Sequence, residues 1–246
     1  MEYKFSDRVL TLKPSAIREI FKYAADPSYV SLSAGNPAPE AFPSKQLAAI
    51  SAKLMEEEPI LALQYSTTEG YPPLLQHLKE YMKSSRNIGT EDDGVLVTSG
   101  AQQIMDLFTK SILNEGETVI CEAPSFIGSL NDFRSYKAKL VGIPMDTDGM
   151  NMEALEKALE TEKNVKFIYT IPNFQNPSGI TMSLEKRHRL YELAKAHDVM
   201  ILEDNPYGDL YYEGEPLPSI KSFDTDGIVI YAGSFSKVIS PGMRVG

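Results

Sequence analysis

Lys237 closes the stretch Ser234-Phe235-Ser236-Lys237, which follows the apolar run Gly227-Ile228-Val229-Ile230-Tyr231-Ala232. A lysine at the mouth of a buried strand is costly unless its charge is paired or its pKa is lowered. A lowered pKa is also what a Schiff-base lysine requires. The plainer alternative is a surface lysine at a strand exit. Asp204 poses the mirror-image problem at the end of Val199-Met200-Ile201-Leu202-Glu203. A carboxylate there must meet a cation or a donor. A protonated pyridine nitrogen is such a cation, and capping of the next turn is the alternative. Tyr207, three residues on, could reach the same ligand.

Other strand-like runs end in complementary groups. After Gly94-Val95-Leu96-Val97 come Thr98-Ser99-Gly100-Ala101-Gln102, opening a helix. Small residues at a helix N-terminus let backbone N–H groups face a phosphate, although ordinary capping by Thr98 or Ser99 reads equally well. The stretch matches neither GxGxxG nor GxxxxGK[ST], so dinucleotide and P-loop readings have no motif behind them. After Thr118-Val119-Ile120-Cys121-Glu122, Phe126 could stack on a planar ring or lie in the core. After Phe167-Ile168-Tyr169-Thr170, Asn176 sits in Asn173-Phe174-Gln175-Asn176-Pro177-Ser178-Gly179. It is either turn chemistry or a donor to a ring oxygen. A phosphate seat, a stacking ring, an amide, a carboxylate, a phenol and a lysine at successive strand ends together match one cofactor, pyridoxal 5′-phosphate (PLP).

The elements that must carry these groups alternate. Helices are expected from Ser15, after Ser44, over Tyr71–Ser84, and over Ala101–Asn114, Ser125–Tyr136, Met152–Thr161 and Ser183–His197. Strands are expected at Tyr29–Leu32, Gly94–Thr98, Glu117–Glu122, Lys139–Ile143, Val165–Thr170, Val199–Glu203 and Ile228–Ala232. Such alternation indicates βαβ units, and hence an α/β fold with a mostly parallel sheet and right-handed crossovers. Ligands of such sheets bind beyond the carboxyl ends of the strands, where all the groups above fall.

Composition narrows the function classes. The net charge is −10 with no basic stripe, which argues against nucleic acid as partner. Hydrophobic residues make up 42% and charged residues 24%, the balance of a globular chain. Cys121 is the single cysteine, so no intrachain disulfide forms. Its apolar flank points to an inert core thiol. No signal-like N-terminus or membrane-length apolar run is present, which makes the cytoplasm the expected location and a membrane an unexpected partner.

Jointly, Ser99-Gly100-Ala101-Gln102, Asn176-Pro177-Ser178-Gly179, Asp204-Asn205-Pro206-Tyr207 and Ser234-Phe235-Ser236-Lys237 with Arg244 resemble the fold-type I, class I/II PLP-dependent aminotransferases. The opening stretches, Ser15–Glu19 and Ala34–Pro39, look most like the 2-aminoadipate (LysN-like) and MocR-related branch. The resemblance implies that Lys237 carries PLP as a Schiff base and then moves the substrate proton. It implies that Asp204 keeps the ring nitrogen protonated, that Tyr207 and Asn176 bond the ring oxygen, and that Phe126 stacks on the ring. Ser99, Gly100, Ala101, Gln102, Ser234, Ser236 and Arg244 would seat the phosphate. Tyr65 would reach the phosphate of a partner subunit, making a homodimer with shared active sites. Gly35 and Asn36 would lie near the substrate carboxylate, and Arg18 would meet a side-chain carboxylate of glutamate or 2-aminoadipate.

By the same resemblance, residues 1–44 form an N-terminal arm with a substrate-side segment and residues 45–246 the PLP-binding large domain. Family members continue past the position of Gly246 into a small C-terminal domain that brings the arginine for the substrate α-carboxylate, so a fragment or a short relative is expected. The implied reaction moves an amino group between an amino acid and a 2-oxo acid, with 2-oxoglutarate/glutamate as one couple and a 2-aminoadipate-, aromatic- or branched-chain-type donor. A PLP-dependent β-lyase and a non-enzymatic PLP-binding regulatory module are the alternatives.

Overall fold

The computed structural model describes residues 3–10, 26, 28 and 35–246. The helix expected from Ser15 and the strand expected at Tyr29–Leu32 lie outside the described residues, as does Arg18. Helices α1 (Asp7–Leu10), α2 (Ser44–Glu57), α3 (Pro59–Leu63) and α4 (Pro72–Arg86) come first. The α/β region then runs α5 (Ala101–Ile112), β1 (Thr118–Ala123), α6 (Ile127–Ser135), β2 (Lys139–Asp146), β3 (Gly149–Met150), α7 (Met152–Thr161), β4 (Val165–Thr170), α8 (Leu184–Ala196), β5 (Met200–Asn205) and β6 (Val229–Gly233). The sheet order is β3-β2-β1-β4-β5-β6. All neighbours are parallel except the short β2–β3 hairpin, which the hydrophobic pattern does not reveal.

The period of two along each strand divides the core into two layers. Val119, Cys121, Phe167, Tyr169 and Leu202 face one side with Met105 of α5 and Phe133 of α6. Ile120, Ile168 and Ile201 face the other with Leu155 and Leu159 of α7 and Leu190 and Leu193 of α8. Both faces are covered, as an all-apolar parallel strand requires. Two helix starts follow directly from side-chain chemistry. Asn151 Oδ1 accepts from Ala154 N–H at the head of α7, and Ser183 Oγ from Lys186 N–H at the head of α8.

Gly94–Thr98 differs from expectation, because it has no regular secondary structure and belongs to no sheet among the described residues. Val97 N–H donates to Glu69 O, and Thr98 exchanges two hydrogen bonds with Gly246, at 2.8 and 3.1 Å. A cavity of about 1060 Å³, lined by Val95, Leu96, Ile104, Val229 and Ile230 among others, lies against this segment and β6. One bonded residue pair makes no ladder, since a strand needs a neighbour along its length at about 4.8 Å.

Behind the sheet, Arg187 of α8 is fully buried and donates to Met182 O, Pro218 O, Pro172 O and Asn173 Oδ1 at 2.7–3.0 Å. These bonds hold both ends of the 172–182 segment and the approach to residue 219. The nearby Glu203 carboxylate offsets part of the burial that pulls the Arg187 pKa down. Arg187→Met removes the donors to three buried acceptors, Met182 O, Pro172 O and Asn173 Oδ1, and to Pro218 O, and takes a cation from beside the buried Glu203. We expect a loss of about 3–5 kcal/mol, read as a lowered urea midpoint at unchanged slope.

Candidate active site

Four of the five strand ends named by the sequence lie together because β1, β4, β5 and β6 are consecutive in the sheet. Phe126 follows β1, Asn176 follows β4, Asp204 ends β5 and Lys237 follows β6. Parallel pairing aligns their carboxyl ends on one edge, and the loops there converge.

Asp204 shares a face with Leu202 and points away from Glu203, as alternation along β5 demands. It is 4% exposed. Its Oδ2 accepts from the Tyr169 hydroxyl at 2.7 Å, whereas its Oδ1 is buried without a partner among the described residues. Burial pushes its pKa up to about 6, against the lowering effect of the Tyr169 bond. Asn176 Nδ2 donates to the Tyr207 hydroxyl at 3.1 Å, which joins the loops after β4 and β5. Tyr207 has a raised pKa from burial, which the Asn176 bond reduces and the Asp204 charge increases.

Lys237 Nζ donates to Gly35 O at 2.8 Å, a contact that spans almost the whole chain. Burial lowers its pKa, the direction a nucleophilic or Schiff-base lysine needs. Asn36 follows Gly35 and is exposed. Arg244 donates through Nη2 to Ser99 O at 3.3 Å and lies against Gly100. A Cβ on Gly100 would sit 2.6 Å from that nitrogen, and Gly100 has φ +78°. Glycine is therefore required here both for the turn and for the approach of the guanidinium. The first N–H groups of α5, at Ala101 and Gln102, have no intrahelical acceptor. Ser234 Oγ accepts from Ser236 N–H at 3.2 Å.

Three predicted residues have other surroundings. The Gln102 side chain donates to Asp132 and to Gly128 O, so its amide braces α6 and only its backbone faces the helix start. The Phe126 ring lies over Gly128, where a Cβ would approach it to 2.5 Å. Tyr65 is 98% exposed and stands clear of the other groups.

Residues that the sequence did not single out complete the site. Tyr169 bonds Asp204, and Ser129 of α6 donates to Tyr169 at 2.9 Å. Glu122 of β1 accepts from Thr170 Oγ1 at 2.6 Å and Gln175 Nε2 at 3.0 Å. The same Gln175 nitrogen donates to Pro124 O at 2.8 Å. Glu122 thus ties the loop of Phe126 to the loop of Asn176. Burial pushes its pKa to about 7, which those hydrogen bonds oppose. Period-two alternation places Tyr169 and Glu122 on strands, but nothing local tells which neighbour each will meet. Cys121 is buried with its thiol pushed up to about 11 by burial, an inert group.

These features fit PLP. The open Asp204 oxygen matches a protonated ring nitrogen, and Asn176 with Tyr207 offers hydrogen-bonding groups for a ring oxygen. Arg244, the two serines and the start of α5 suit a phosphate. The profile of "Aminotransferase class I and II" matches residues 27–246. The chain is 43% identical to aromatic-amino-acid aminotransferase 1 of Thermococcus litoralis, covering 100% of this chain and 60% of that protein. It is 39% identical to the 2-aminoadipate transaminase of Thermus thermophilus, over 95% of this chain and 58% of that one. The crystal structure of Pyrococcus horikoshii kynurenine aminotransferase with PMP superposes with a TM-score of 0.93 at 40% identity, covering 98% of this chain and 61% of that chain. The chain spans about 60% of the length of these relatives. With the PLP-fitting strand ends and these matches together, the chain belongs to the class I and II aminotransferases.

Proposed function

We propose that this protein transfers an amino group between an amino acid and a 2-oxo acid, using PLP. The observation that carries the reading is Asp204, a buried carboxylate with one oxygen satisfied and the other open at the strand end. When bound, PLP supplies an electron sink conjugated to the substrate's α-carbon. Asp204 holds a proton on the ring nitrogen. Lys237 anchors the cofactor and then carries the α-proton, and its lowered pKa favours the neutral amine that must accept it. Tyr207 and Asn176 orient the ring oxygen, and Arg244 with the start of α5 holds the phosphate. Gly35, against Lys237, belongs on the substrate side.

The names of the two curated relatives support an aromatic or 2-aminoadipate donor for this chain, and we take 2-oxoglutarate/glutamate as one couple. Arg18 would read a substrate side-chain carboxylate, and the exposed Tyr65 would serve a second subunit of a homodimer. The test is amino-donor profiling with 2-oxoglutarate as acceptor. Glutamate should form from an aromatic or 2-aminoadipate donor. A PLP-loaded protein that yields no glutamate from any donor would remove the transaminase reading, and pyruvate with ammonia from cysteine-type donors would replace it with β-elimination. Among the described residues no helix is long and apolar enough to cross a membrane.

A further inference from the structure

Tyr169 is fully buried on β4, on the face that carries Phe167. In the β4–β5 register it lies opposite Leu202, two residues before Asp204 on the same face. A tyrosine spans that diagonal and so delivers its hydroxyl to the carboxylate. Its ring is clamped edge-on by Phe133 at 5.2 Å between centroids. Its oxygen in turn accepts from Ser129 Oγ at 2.9 Å. Ser129 is itself fully buried, in the first turn of α6. The result is a directed chain, Ser129 to Tyr169 to Asp204 Oδ2, that leaves Oδ1 open.

We propose that Tyr169, braced by Ser129 and Phe133, is a positioning residue that fixes the Asp204 carboxylate and reserves its Oδ1 for the ring nitrogen of the cofactor. A carboxylate with one oxygen tied to a rigid phenol cannot rotate to satisfy the other oxygen elsewhere. It therefore meets an incoming cation without reorganising. The phenol is a permanent donor here, because burial and the neighbouring Asp204 charge push its pKa well above the usual tyrosine range. The titratable groups acting on this carboxylate are Tyr169 from β4, Tyr207 beyond β5 and Glu122 from β1. The inference rests on the PLP reading only for the identity of the cation.

The test therefore has one arm without cofactor and one with it. In the cofactor-free protein, thermal stability is followed against pH for wild type, Asp204→Asn, Tyr169→Phe and the double variant. The part of the profile that disappears with Asp204→Asn reports the titration of Asp204, near pH 6 in the wild type. Loss of a donor to the ionised form raises a carboxylate pKa, so in the Tyr169→Phe background that inflection should move to higher pH. In the second arm, equilibrium PLP binding by Tyr169→Phe should weaken about tenfold. Its acid-side loss of affinity should begin at higher pH than in wild type. An Asp204-dependent inflection at the same pH in both backgrounds would overturn the proposal, even if PLP binding weakened, because that is the signature of packing alone. A shifted inflection in a wild type that binds no PLP would retain the Tyr169–Asp204 coupling and remove the cofactor reading. If Tyr169→Phe does not fold cooperatively, Ser129→Ala should shift the inflection in the same direction by less, and no shift there would overturn the proposal.

Discussion

Lys237→Ala is expected to abolish covalent attachment of PLP and to lower turnover by about 10⁴-fold or more. The two roles proposed for Lys237 are lost together. General acid–base transfer by a positioned side chain is worth about 10²–10⁴-fold, and a covalent anchor adds to that. The local structure supports a reactive amine: burial lowers its pKa, and its Nζ donates to a neutral carbonyl, Gly35 O, at 2.8 Å. Three measurements check this. The visible band of lysine-bound PLP should be absent from the variant. Borohydride reduction and peptide mapping should place the cofactor on the Lys237 peptide of the wild type. A half-reaction with an amino acid should be slower by the same factor. A variant that retains the band, or a label on another lysine, contradicts the assignment. The fold should survive, because Lys237 lies in the turn after β6 and belongs to neither apolar core layer.

Asp204→Asn is expected to act with opposite signs on the free and the loaded protein. Without cofactor, Asp204 is a buried carboxylate with an unpartnered oxygen and a pKa raised to about 6, above its unfolded value of 3.8. A folded-state pKa above the unfolded one means that the folded chain binds more protons between those values. Stability then falls as pH rises towards 6, and above that the carboxylate is a standing penalty. Asparagine keeps the shape and still accepts from Tyr169, so the cofactor-free variant should melt at an equal or higher temperature at pH 8. With cofactor the sign reverses. Removing one partner of a buried charge pair costs about 3–5 kcal/mol, equivalent to about 10²-fold to several 10³-fold in affinity or rate. Thermal melts with and without PLP at pH 8 measure both. A variant destabilised in both states would mean that Asp204 serves the fold and not the cofactor.

Elements whose limits depend on short-range chemistry were legible in the sequence. Helix α7 and strand β4 have the boundaries that pattern predicts, and α8 begins after its Ser183 cap. Gly94–Thr98 was misread as a strand although its residues have strand character. Pairing is a property of the neighbour, and among the described residues only Gly246 exchanges backbone bonds with Thr98. Tyr169 and Ser129 were illegible for a related reason. A core tyrosine and a helix serine are commonplace types, and their link to Asp204 exists only once the β4–β5 register and the seat of α6 are set.

The sequence by itself determined the chemistry at each strand end and the α/β alternation that carries it, because both depend on residue type and on periods of a few residues. The lysine, carboxylate, phenol, amide and the residues proposed to seat a phosphate are all legible in the sequence. The tertiary structure alone decided that β1, β4, β5 and β6 lie side by side, that Gly35 returns to Lys237, and that Asp204 keeps one oxygen open. Strand order and register arise from burying two apolar layers between distant segments of the chain, and no local pattern encodes which distant segments those are.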